Sequence, residues 1–160
     1  MFELKNYLAD GKRWIEAALD RLVPPAATRP ADLHAAMRHS LFAGGKRLRP
    51  LLCAASAEAC GAPRAAALFP AAASECLHTY TLIHDDLPCM DDDDLRRGVP
   101  TCHKVYGEAT ALLAGDALQA LAFELAAQTP VAALEIFREL AAAAGSRGVV
   151  GGQVEDMLGE

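Results

Sequence analysis

Residues 84–98 read His-Asp-Asp-Leu-Pro-Cys-Met-Asp-Asp-Asp-Asp-Leu-Arg-Arg-Gly, with six aspartates inside ten residues and two arginines directly behind them. Carboxylates this dense repel one another, and a folded chain keeps them together only where cationic charge shares the space. Hard divalent cations such as Mg2+ prefer carboxylate oxygens, commonly one or two carboxylates together with substrate phosphates. A guanidinium fork meets phosphate oxygens in a bidentate fashion. The stretch therefore reads as a site for a magnesium–diphosphate complex. A solvated acidic surface and an Asp-rich calcium loop are the competing readings. The EF-hand alternation of acidic residues around a central glycine is absent.

Spacing adds a structural expectation. Asp85 and Asp91 are six positions apart, about 240° around an ideal helix, so a regular helix would not aim both at one ion. Pro88 lies between them. It lacks an N–H, clashes with the preceding turn and pushes Leu87 out of helical conformation. The helix entering this motif is expected to end or bulge here, swinging Asp91 back towards Asp85.

The rest of the chain reads as helix. Its 160 residues have the length of one domain, and alanine carries much of a hydrophobic share of 52%. Alanine-rich, aromatic-poor sequence favours helix throughout, here as a single all-α array of about six or seven helices over 1–160. The expected segments are 2–22, 32–45 ending at Gly44-Gly45, 51–60, 64–86, 109–128, 130–144 and one opening near Gly151. A net charge of −6 argues against a nucleic-acid partner. No run of 18 apolar residues is present, so no membrane span is expected. The N-terminal residues lack a signal peptide's basic and apolar regions. The cysteines (Cys53, Cys60, Cys76, Cys89 and Cys102) are odd in number and show no CxxC. They read as reduced thiols, with a cytoplasmic location.

A second charged element precedes the acidic run. Gly44-Gly45-Lys46-Arg47-Leu48-Arg49-Pro50 places three cations within four residues, beside glycines that let a ligand approach the backbone. Cations and free N–H groups near a helix start suit an oxyanion such as diphosphate; the alternative is a basic turn that only solvates the surface. His78 lies seven residues before Asp85 and so shares its helix face, as a phosphate donor or a satisfied core histidine. Tyr80 and His84 point elsewhere on spacing. Asp116, among apolar neighbours, is either an exposed helix residue or a group behind the site. Arg96 and Arg97, adjacent in a turning stretch, are free to face different ligands.

Three pieces together resemble the polyprenyl synthetase family, the trans-isoprenyl diphosphate synthases. They are Gly44 to Pro50, Glu75 to Gly98 with Pro100-Thr101, and Gly151-Gly152-Gln153, in the family's order and spacing. The resemblance implies an isoprenoid-synthase-type helical bundle and Mg2+-dependent, head-to-tail prenyl transfer. An allylic diphosphate (dimethylallyl or geranyl) would condense with isopentenyl diphosphate. By motif, Asp85 and Asp91 are metal ligands, with Asp86 and Asp92 as weaker candidates. Arg96 holds the allylic diphosphate, and Lys46, Arg49, His78 and Arg97 hold isopentenyl diphosphate. Gln153 and Asp156 resemble a helix lining the same cavity. Tyr80 and Thr81, just upstream of Asp85, set the floor for the growing tail, and an aromatic Tyr80 favours a farnesyl over a geranylgeranyl product. The two-residue expansion around Pro88 is shared with geranylgeranyl-forming relatives. Family members run to nearly twice this length and carry a second aspartate-rich motif. The chain is therefore expected to be the N-terminal part of one synthase domain, inefficient alone, with apolar helix faces exposed. Family members are usually homodimers. A terpene cyclase would not need Lys46, Arg49 and His78, and a non-catalytic subunit should lack some of the aspartates and arginines present here.

Overall fold

The computed structural model describes residues 3–159. Among these, seven α-helices of eleven or more residues and one of five account for nearly all regular structure. They are α1 (Leu4–Leu22), α2 (Ala31–Leu41), α3 (Leu48–Ala59), α4 (Leu68–Asp85), α5 (Cys102–Tyr106), α6 (Glu108–Ala127), α7 (Ala133–Ala144) and α8 (Val149–Gly159). A 3-10 turn, Arg64–Ala67, leads into α4.

The centre is the pairing of α4 with α6, the most extensive helix contact in the molecule. Small side chains make it possible. Ala71, Ala72, Ala73 and Cys76 of α4 and Ala111, Ala114 and Ala122 of α6 are buried, so the two backbones approach closely. Larger side chains close the core around them, with Ile15 and Leu19 from α1, Leu41 from α2, Ile83 from α4, and Leu118 and Leu125 from α6 all fully buried. Burial of each contributes about 1.5–3 kcal/mol.

Three expectations shift. The second helix stops at Leu41, short of the glycines; Gly44 and Gly45 both take positive φ in the link to α3, and Arg47, at φ 53°, takes the left-handed conformation immediately before it. The five-residue α5 was not foreseen, because a single turn is too short to show periodicity. One helix, α6, is long and apolar enough to cross a membrane by length and composition, although Asp116 and its flanking acids break any uninterrupted apolar run. Its buried stripe, Ala111, Ala114, Leu118, Ala122 and Leu125, is used against α4 and the rest of the core.

Between α4 and α5 the chain makes a two-stranded antiparallel hairpin, β1 (Leu95–Arg96) with β2 (Val99–Pro100). Arg97 and Gly98, at φ 57° and 79°, form its two-residue turn, the left-handed pair that tight hairpins favour. The hairpin is tethered to α2, where His39 Nε2 donates to the Pro100 carbonyl at 2.8 Å. Apolar surface remains exposed at Leu112 and Leu113 of α6, Leu134 of α7, and Val150, Val154, Met157 and Leu158 of α8.

Candidate functional site

α4 ends at Asp85, and the chain does what Pro88 requires. The Leu87 N–H donates to the His84 carbonyl at 3.1 Å, Met90 to Leu87 at 2.9 Å and Asp92 to Leu87 at 3.1 Å. These turns carry the chain back so that the Asp91 N–H donates to the Asp85 carbonyl at 2.8 Å. The two aspartates separated on the helical wheel are thus adjacent. Asp85 is half-buried, while Asp91 to Asp94 are exposed. Burial, and then the charge of Asp91, push the Asp85 carboxyl above its ordinary value; Arg96 and the amide of Gln153 oppose this. Gln153 reaches from α8 and donates to Asp85 Oδ1.

Asp86 faces the other way. It is 3% exposed and accepts from Arg96 Nε at 2.9 Å, beside Thr79, Ile83, Thr101 and Cys102. Burial raises its carboxyl despite the guanidinium beside it. Arg96 also approaches Asp93 at 3.3 Å, so it is engaged by two carboxylates of the motif. Asp92 sits at φ 50° with its side chain exposed.

The cations gather at a second place. Lys46, Arg49, His78 and Arg97 line one cavity of about 500 Å3, together with Gly45, Arg47, Leu48 and Glu75. Arg97 is brought there by the hairpin turn and donates to the Gly44 carbonyl. Gly45 is required for this approach, since a Cβ there would lie 2.4 Å from Arg97 Nη1. His78 is half-buried; burial, then Arg49, with Arg97 and Arg47 behind it, hold its imidazole below the ordinary value, against Glu75.

A run of adjoining cavities with shared lining residues forms a trough between the two places. Arg49 and His78 of the cationic cavity also line a cavity of about 330 Å3, with Ser74, Leu77, Tyr80 and Thr81 of α4, Leu140, Ala143 and Ala144 of α7 and Val149 of α8. Tyr80, Thr81 and Val149 in turn border a mainly apolar cavity of about 260 Å3 that reaches Asp85, His84, Met90, Gln153, Val154 and Met157. The trough runs along one face of α4 from the cations to the first aspartate. Tyr80 and His84 therefore belong to its wall, contrary to the helical-wheel expectation. Asp156 is exposed, outside these cavity walls.

Among the described residues, no three His, Cys, Asp or Glu side chains stand close enough to hold a metal ion unaided. The donor set, carboxylates alone with Asp85 and Asp91 adjacent, fits Mg2+ in its usual manner, sharing one or two carboxylates with phosphate oxygens and water. It lacks the histidine and cysteine donors that zinc sites are chiefly built from.

The polyprenyl synthetase family model matches residues 30–160. The chain belongs to the polyprenyl synthetase family. It is 49% identical over 166 aligned residues to the heterodimeric geranylgeranyl pyrophosphate synthase large subunit 1 of Arabidopsis thaliana, covering 99% of this chain and 44% of that one. It is 48% identical to the geranylgeranyl pyrophosphate synthase of Capsicum annuum, covering 98% and 43%. Among solved structures, an FPP/GFPP synthase from Zymomonas mobilis superposes with a TM-score of 0.91 at 45% identity, over 97% of this chain and 58% of that one. A geranyltransferase from Legionella pneumophila gives 0.90 at 39% identity, over 95% and 55%. This polyprenyl synthetase chain thus spans about half the length of the relatives it matches. Its all-α architecture is that of the isoprenoid synthases.

Within this polyprenyl synthetase chain, two features escaped sequence reading. Arg47, between Lys46 and Arg49, is buried and paired with Glu75. His84 is wedged against Gly115 of α6, where its Nε2 donates to the Leu112 carbonyl at 3.0 Å and stands 3.9 Å from Asp116. Asp116 is thus an exposed residue beside a histidine that adjoins the site. A glycine inside the apolar stripe of a helix was the one available sign of that close approach.

Proposed function

We propose that this chain supplies the isopentenyl diphosphate site and the first aspartate-rich motif of a short-chain trans-prenyl diphosphate synthase. The observation that carries the reading is the trough of adjoining cavities, with Lys46, Arg49 and Arg97 beside His78 at one end, Asp85 at the other and a mainly apolar wall between. Such a trough suits a molecule with a diphosphate head and a hydrocarbon tail. In the reaction proposed, the allylic carbon–oxygen bond breaks, and its electron pair leaves with pyrophosphate. The double bond of isopentenyl diphosphate attacks the allylic carbon, and a proton is lost.

Lys46, Arg49 and Arg97, with His78, hold the isopentenyl diphosphate head. Asp85 and Asp91, with Asp92 beside them, would hold Mg2+, which supplies Lewis-acid stabilisation of charge on the leaving pyrophosphate. Asp86 serves differently, fixing Arg96 at the rim of the motif where its remaining donors can meet the allylic diphosphate. Tyr80 and Thr81 line the path of the tail.

The relatives' names favour a geranylgeranyl product over the farnesyl product expected from Tyr80. The dimerisation partner proposed is a second copy of the chain, supported by exposed Leu112 and Leu113 on α6. The relative named as a heterodimeric large subunit favours a different, related subunit as the second reading. A cytoplasmic location is part of this proposal and rests on the five free cysteines.

The test is chain elongation. The protein, in the longest form its gene encodes, is incubated with Mg2+, labelled isopentenyl diphosphate and dimethylallyl or geranyl diphosphate. Labelled products, mainly geranylgeranyl, are expected, and Asp85→Ala should nearly abolish them. No elongation, or an unchanged rate in Asp85→Ala, would overturn the assignment.

A further inference from the structure

Arg47 stands between two cations that open onto the cavity, yet it is itself 3% exposed. Each of its guanidinium nitrogens is engaged within the protein. Nη1 donates to Glu75 Oε1 at 2.8 Å, Nη2 to the Leu41 carbonyl at 2.8 Å, and Nε to Glu16 Oε1 at 3.4 Å. Glu75 is 2% exposed and forms part of the cavity wall. The backbone of Arg47 is left-handed, φ 53° and ψ 34°, a conformation that a non-glycine residue holds only when its surroundings impose it. Its carbonyl accepts the Leu51 N–H at 3.1 Å, so the same residue starts α3.

We propose that Arg47 and Glu75 are a positioning pair for the diphosphate. Their buried ion pair pins the left-handed turn between Lys46 and Leu48, and so sets the directions in which Lys46 and Arg49 enter the cavity. Glu75 also neutralises the buried guanidinium, leaving the attraction for the ligand to Lys46, Arg49 and Arg97. Both residues border the cavity, but each Arg47 nitrogen is already engaged within the protein, and the pair acts through the cations on either side. This deepens the function proposed above and rests on it.

Calorimetric titration of the chain with inorganic pyrophosphate in magnesium-free buffer tests the pair. The wild-type chain is expected to bind. Glu75→Gln is expected to weaken binding roughly tenfold or more, because small displacements of charged groups are costly in a preorganised site. Arg47→Lys is expected to weaken it similarly, since an ammonium cannot reproduce the three-way fork. The double variant Arg47→Met, Glu75→Met removes both charges and is expected to melt near the wild-type temperature, yet to bind pyrophosphate no better than Glu75→Gln. This last result separates positioning from folding, and it carries the test if Glu75→Gln does not fold. Glu58→Gln breaks an equally close ion pair, to Arg64 at 2.8 Å, outside the cavity, and is expected to bind as wild type. Wild-type affinity in Glu75→Gln or in the double variant would overturn the proposal, as would equal weakening by Glu58→Gln. Failure of the wild-type chain to bind pyrophosphate would instead remove the cationic site, and the pair with it.

Discussion

Gly115→Ala sets two physical effects against each other at a point adjoining Asp85. In the interior of α6, alanine is preferred to glycine by about 1 kcal/mol, so propensity alone predicts a more stable protein. A Cβ at position 115, however, would lie 2.1 Å from His84 Nε2, 2.4 Å from Cδ2 and 3.0 Å from Cε1. The whole ring edge must withdraw. On one side it would lose its hydrogen bond to the Leu112 carbonyl, about 1 kcal/mol. On the other it meets Tyr80 edge-on, with ring centroids 5.7 Å apart, a contact of about 0.5–1.5 kcal/mol. Residual overpacking of the kind that costs about 1–3 kcal/mol in cores adds to these losses. The net is a destabilisation of about 1.5–4.5 kcal/mol, or a fall in Tm of roughly 3–18 °C for a chain this size. Thermal melts followed by circular dichroism measure it. The same substitution made in a His84→Ala background meets no imidazole, so there it should raise Tm. A Tm increase for Gly115→Ala in the wild-type background would refute the reasoning, as would an equal fall in both backgrounds.

Three further outcomes follow from the trough. Burial and the charge of Asp91 raise the Asp85 carboxyl above its ordinary value; the folded protein therefore disfavours the ionised form, and stability falls as pH rises through that window. Asp85→Asn should consequently melt higher than wild type at pH 7, with the difference vanishing below about pH 3 where the acid is protonated in both states, and a lower Tm at pH 7 would contradict this. His78 is shifted the opposite way, held below its ordinary value by burial and by Arg49, so it should subtract stability as pH falls below about 6.5. His78→Gln should flatten that part of the stability–pH profile, and an unchanged profile would count against the placement of the imidazole. The Tyr80 hydroxyl is buried without a hydrogen-bond partner. Tyr80→Phe should therefore leave Tm unchanged or raise it by an amount equivalent to about 1 kcal/mol, whereas a marked loss of stability would reveal a partner for that oxygen.

How much of this was legible before the structure depends on whether each cause was local. Pro88 acts on its immediate neighbours, so the end of α4 and the return of Asp91 to Asp85 could be anticipated. The alignment of His78 with Asp85 follows from helical geometry alone. Arg47 is different, because its burial depends on Glu75, 28 residues away, and on a left-handed turn that no spacing rule requires. In sequence it is indistinguishable from Lys46 and Arg49. Asp86 next to Asp85 likewise separates only when the hairpin delivers Arg96 to it. The farnesyl expectation put weight on the ring of Tyr80, but the width of the trough beside it is also set by Leu140, Ala143 and Ala144 of α7. Those walls are invisible from the motif, and the matched relatives are themselves named for the longer geranylgeranyl product.

The two ends of the trough are proposed to hold two diphosphates by different means. Calorimetry with isopentenyl diphosphate, with and without Mg2+, tests this most directly. The expected binding does not require metal, is lost in Lys46→Ala and Arg49→Ala, and survives in Asp85→Asn. Binding that disappears without Mg2+, or that persists when both cations are removed, would contradict the proposal.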